Sequence, residues 1–248
     1  MSKPPPQENP LHNILINVLI PVVALSAMSK DGEKFWHIGA TNAMFLALVP
    51  PLAYGIWFFI KTRQTNFFSL LGLLSVALTG GLTIYLWNHD GTVKPNAALL
   101  FGIKEGSIPL MLGIAMLISH RSSSPLLRTF LYSENIFHIS LIEKTVAERG
   151  KDPEYQRLLW HSTVLFACSF LVSTVLNVLL ALHFLGSLDH QAADAREIYN
   201  EKVAQITGWG FLVIGVPILV FLGFTLWHLF RGLGKITGLT QEQLMMPR

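Results

Sequence analysis

Charge is what this sequence has least of. Of its 248 residues only 13% are Asp, Glu, Lys or Arg, about half the ~25% of an ordinary soluble domain. A chain this poor in charge and 51% hydrophobic, with a mean hydropathy of +0.47, reads as one integral membrane bundle rather than several soluble domains. Cysteine is nearly missing too. The single Cys168 lies in an apolar run, which excludes an intrachain disulfide and a cysteine-based metal site. There is no G-x-x-x-x-G-K-[ST] loop, and the nine histidines make neither an H-x-x-x-H nor an H-E-x-x-H spacing, so phosphate-cradling loops and helix-borne zinc sites are not expected. The net charge of +3 and the pI near 9.0 do not point to nucleic acid, because membrane proteins collect Lys and Arg in their cytoplasmic loops.

What is present is long apolar runs. A spanning helix needs ~20 mostly apolar residues, and six candidates occur, at 11–28, 38–60, 67–87, 97–119, 158–185 and 206–230. The first is short and contains Asn13, Asn17 and Pro21. The expected class is therefore all-α, a polytopic membrane protein with six transmembrane helices and a cytoplasmic amphipathic helix between the fourth and fifth. A polar, proline-rich tail (1–10) precedes helices one to four (11–119). The amphipathic segment (120–157), helices five and six (158–231) and a C-terminal tail (232–248) follow. The N-terminus lacks the small-residue cleavage site of a signal peptide. With both termini placed in the cytoplasm, twelve of the eighteen basic residues fall on that side, as the positive-inside bias requires. In the amphipathic segment Leu126, Leu127, Phe130, Leu131, Phe137, Leu141 and Ile142 recur at helical spacing. Such a helix lies on the membrane surface or caps the bundle. RGKDP (149–153) ends it. The acidic stretch 189–201 reads as a short, solvated outer helix.

The most informative residues are Lys104 and Glu105, adjacent within the apolar run AALLFGIKEGSIPLMLGIAMLIS. At ~1.5 Å per residue Lys104 lies about 10 Å along it. A charge at such depth costs roughly 2.5–3.5 kcal/mol on insertion scales and ordinarily faces a partner, a cavity or a pathway. Lys104 either snorkels to the outer headgroups, with Glu105 paired to it or to Lys202, or joins Glu105, Asn177 and Lys202 in a polar cavity suited to an anionic lipid headgroup. Pro50, Pro51, Gly80, Gly81, Pro109 and Pro217 are candidate helix kinks, ordinary in membrane helices but also a way to line a transport cavity. Gly102 with Gly106, and Ser169 with Ser173, have the small-x-x-x-small spacing of close helix packing. Runs three and four also echo runs five and six, with Lys104–Glu105 in one hairpin and Glu201–Lys202 in the other.

Histidines fall in two layers, His120, His161 and His228 at one set of helix ends and His37, His89, His183 and His190 at the other. Paired axial ligands for haem would look like this, and so would ordinary interfacial histidines. No catalytic constellation emerges, so neither enzymatic activity nor a resident cofactor is expected.

One stretch carries a family resemblance. Gly80-Gly81-Leu82-Thr83-Ile84-Tyr85, then Asn88 and Asp90, Ile103-Lys104 and LMLGIAMLIS (110–119) resemble the inner-membrane septation protein A family, also called intracellular septation proteins, and its longer relatives. Downstream, Trp160, VLNVLLALHF around Asn177, and Glu201-Lys202-Val203 resemble that family's last hairpin. The longer outer loop at 92–97, the charged Glu105 and the long 121–157 segment depart from its pattern. The resemblance implies a non-enzymatic, multi-pass protein of the bacterial inner membrane tied to septation, cell division and envelope biogenesis. Its partners would be the lipid bilayer with anionic headgroups, other envelope or division membrane proteins, or further copies of itself. A small transporter or lipid flippase is the alternative, and a haem-binding electron carrier a third.

Overall fold

The computed structural model describes residues 15–32, 34–62, 67–122 and 125–246. Helices dominate: α1 (Ile20–Ala27), α2 (Gly39–Thr62), α3 (Phe67–Leu86), α4 (Ala97–Ser119), α5 (Leu126–Phe130), α6 (Ile139–Glu148), α7 (Asp152–Leu185), α8 (Ala195–Val213), α9 (Gly215–Thr237) and α10 (Gln241–Leu244), with a π-helical turn at Leu15–Leu19 ahead of α1. Four of the described helical segments are long and apolar enough to cross a membrane: Gly39–Trp57, Ala97–Ser119, Asp152–Leu185 and Ala195–Thr237. Helices are what such sequences must form in lipid, since each helix satisfies its own backbone groups where no water can.

These segments coincide with the second, fourth, fifth and sixth apolar runs. Within the first run the described residues form the π turn and the eight-residue α1. Residues 11–14 of that run lie outside the described residues. Pro21 lies at the second position of α1, directly after the π turn. The third run forms a 20-residue helix, Phe67–Leu86. The sixth run is divided. α8 ends at Val213 and α9 begins at Gly215. The ring of Pro217 would clash with the carbonyl of Val213 in a continuous helix, which accounts for the break.

The chain forms two compact units. The first comprises Met1–Ile108 and Leu176–Ile214. Its core gathers Ala24, Leu25, Met44, Ala47, Leu86, Phe101, Leu185 and Tyr199. Gly102 matters to this core, because a Cβ there would stand 3.2 Å from both the Val178 Cα and the Ala181 Cβ of α7. The α3–α4 connection is pinned locally. Trp87 and Val93 form a bridge, Gly91 takes φ +95°, and Asp90 accepts from the Thr92 amide (3.0 Å) and hydroxyl (2.6 Å). The Thr92 hydroxyl, then its amide, hold the Asp90 carboxyl below the ordinary value. Arg196, at the start of α8, places its guanidinium over Trp87 and donates to the Asn88 carbonyl.

The second unit comprises Pro109–Val175 and Gly215–Arg248. The amphipathic segment expected as one helix is two, α5 and α6, separated by a turn in which the Ile136 and Phe137 amides donate to the Ser133 carbonyl. Ile139, Ile142 and Val146 of α6 are buried with Tyr132, Phe137, Leu229, Leu233 and Leu244, while Glu143, Lys144 and Glu148 are exposed. The apolar side of α6 thus packs on protein, the bundle-capping alternative. Gly150 (φ +63°) follows the end of α6. Asp152 and Glu154 then occupy the first turn of α7, where acidic side chains complement the helix dipole.

Candidate functional site

Lys104 and Glu105 lie in the part of α4 that belongs to the first unit. Their side chains are 9% and 28% exposed, and the ammonium lies 2.7 Å from Glu105 Oε1. Two further acceptors come from α3: Thr79 Oγ1 at 2.5 Å and Ser75 Oγ at 3.4 Å from Nζ. Ser75 and Thr79 are four residues apart and so share one helix face. Thr79 donates its hydroxyl proton to the Ser75 carbonyl at 2.9 Å, which leaves its lone pairs to accept from Lys104. An ammonium has three N–H donors and no acceptor. Each of the three has an acceptor here, and the Phe101 ring centroid lies 5.9 Å from Nζ. The pair also precedes Pro109, which cannot donate to the Glu105 carbonyl four residues back. Ser107 donates to the Lys104 carbonyl at 2.7 Å.

The other candidate residues are placed differently. Asn177 is half-buried on α7. Lys202 is half-buried on α8 and forms no ion pair among the described residues, while neighbouring Glu201 accepts from Gln205 Nε2 at 3.2 Å. Glu105 therefore pairs with Lys104 rather than with Lys202. Pro50 and Pro51 lie inside α2 and Pro109 inside α4. Gly80 is a contact position, since a Cβ there would meet Leu48 Cδ1 at 2.9 Å; Gly81 has open space.

Sequence reasoning missed the partners. Ser75, Thr79 and Thr83 form an i, i+4, i+8 hydroxyl stripe on α3. Thr83 Oγ1 lies 3.5 Å from the buried Tyr199 hydroxyl. It also missed Asn200, which is fully buried and donates to Ser29 Oγ (3.0 Å) and the Ala40 carbonyl (2.8 Å), joining α8 to the segment after α1 and to the start of α2. The hydroxyl spacing in LLSVALTGGLT was the available signal. Of the histidines, His161 and His228 approach each other at 6.5 Å between ring centroids, and His120 packs on Trp160 at 4.8 Å. No group of three or more metal-ligating side chains occurs among the described residues.

Comparison of the chain with protein-family models, with curated proteins and with solved structures returns no match.

Proposed function

We propose that this helical membrane protein is a non-enzymatic component of the bacterial inner membrane that works by association, in envelope biogenesis or septation, with both termini in the cytoplasm. In this reading Lys104–Glu105 is an internal clamp between α3 and α4. The observation that carries it is the saturation of the Lys104 ammonium by Glu105, Thr79 and Ser75. A transport site must release its ligand and keep donors available for it, whereas here no N–H of Lys104 is left over. Support for the septation setting is the resemblance of residues 80–119 and of the last hairpin to septation protein A. Support for the orientation is the bias of basic residues.

Reconstitution tests the division between clamp and pathway. Proteoliposomes holding wild-type protein or Lys104→Met are assayed for movement of a fluorescent phospholipid between leaflets. Equal rates in the two, neither above protein-free vesicles, are expected. Fast movement by wild type that Lys104→Met abolishes without loss of folded protein would establish the flippase alternative. Depletion of the protein in its host should lengthen cells or misplace septa; unchanged division would remove the septation setting.

A further inference from the structure

The second unit contains a polar cleft that Lys104 does not touch. Where α4 ends, the chain turns through His120, Arg121 and Ser122, with the Ser122 amide donating to the Ser119 carbonyl at 2.9 Å. Between this turn and α7 lies an open cleft of about 810 Å³, lined by Ile118, His120, Arg121, Ser122, Gln156 and Trp160 among others. A smaller recess of about 240 Å³ shares His120, Ser122 and Gln156 and reaches Arg128 and Thr163.

The cleft is graded in polarity. On one side Ile118 is 74% exposed and Trp160 41% exposed, on helices apolar enough to span a membrane. On the other side are Arg121, Ser122 and Gln156, all exposed. No carboxylate among the described residues lines either cavity. Arg121 forms no ion pair among the described residues, whereas Arg128 is held by Glu143 at 2.5 Å. The His120 ring packs on Trp160, and its Nδ1 lies 3.3 Å from Thr163 Oγ1. Thr163 gives its own proton to the Leu159 carbonyl at 2.8 Å, so its oxygen accepts and His120 Nδ1 carries hydrogen. Partial burial first, then the Arg121 charge, lowers the His120 pKa. The fixed positive charge of the cleft is therefore Arg121.

A guanidinium binds phosphate oxygens in a two-pronged geometry that an ammonium cannot match. Tryptophan at the end of a spanning helix is the side chain of the headgroup level, apolar in body and polar at its N–H. A soluble anion would have no use for Ile118 and Trp160, and a bare acyl chain none for Arg121 and Gln156. We propose that this cleft binds an anionic glycerophospholipid, its phosphate against Arg121 and Gln156 and its acyl chains over Ile118 and Trp160.

The full-length protein is tested by native mass spectrometry in detergent, titrated with phosphatidylglycerol or with phosphatidylcholine. Wild type should retain phosphatidylglycerol at least tenfold better than Arg121→Gln. Trp160→Ala should weaken both lipids, and Lys104→Met should leave binding unchanged. Millimolar inorganic phosphate should not displace the lipid. Phosphate competing as well as the lipid would mark a site for free anion and overturn the lipid assignment. Equal binding by wild type and Arg121→Gln would overturn the site itself. Photo-crosslinking of wild type with a diazirine-bearing phosphatidylglycerol needs no variant. Label concentrated on peptides containing Ile118 or Trp160 supports the cleft, and label spread over other helices with none there contradicts it.

Discussion

Removing Lys104 leaves three acceptors behind, one of them charged. Lys104→Met should cost about 1–3 kcal/mol, the penalty typical of stranding a partly buried group, read as a lower unfolding midpoint in detergent. The double substitution Lys104→Met with Glu105→Gln removes both charges and should recover much of that loss, because an ion pair replaced whole is cheaper than one broken. A double variant no more stable than the single one would mean that Glu105 is not the stranded partner. A second residue-level expectation concerns Tyr132, fully buried and accepting from the Tyr155 hydroxyl at 3.1 Å. Burial, then Tyr155, raises its pKa above 10. The unfolded chain would ionise Tyr132 near pH 10 while the folded one keeps it protonated. Its contribution to stability is thus complete below pH 10 and is lost as pH rises beyond it. Wild type minus Tyr132→Phe should show tyrosinate absorbance only as the protein unfolds; reversible ionisation near pH 10 in folded protein would contradict this. At this scale the sequence exposed Lys104 and Glu105, since charges in an apolar run are conspicuous. It hid Ser75 and Thr79, because a hydroxyl in a membrane helix can bond its own backbone four residues back, as Thr79 also does. Spacing within one run says nothing of which neighbour that face meets.

Helices α2, α3, α4 and α7 follow the apolar runs closely, since length and composition suffice to place them. Where the runs misled, the reason was local. Periodicity through 126–142 carries no mark of the Ser133 turn that separates α5 from α6, and hydropathy across 206–230 is blind to the break that Pro217 imposes after Val213. The glycines split by what surrounds them. Gly102→Ala should destabilise by about 1–3 kcal/mol through overpacking against backbone. Gly81→Ala, with open space around it, should be neutral or stabilising by up to ~1 kcal/mol. Thermal unfolding of the two variants side by side checks the pair, and a reversed order would contradict the contact between α4 and α7. For α6, Ile142→Ala should cost about 2–5 kcal/mol as a fully buried truncation. A negligible change in the same unfolding measurement would mean that this face rests on lipid instead.

At the scale of the whole molecule, α4 and α7 each contribute residues to both compact units, and each unit has a polar feature of its own. The first holds the saturated Lys104 clamp and the second the Arg121 cleft. The membrane class was readable from composition alone, because so little charge leaves no other solvent for the surface. The division of the sixth run between Val213 and Gly215 was not, because apolarity does not report where a helix breaks. The clamp is the central claim, and a double-mutant cycle between Lys104 and Thr79 tests it most directly. Lys104→Met, Thr79→Val and their combination would be unfolded in the same bilayer-mimetic. The account predicts a favourable coupling of about 0.5–1.7 kcal/mol, within the span seen for polar pairs between membrane helices. Strictly additive effects would contradict it and leave Lys104 free for another task.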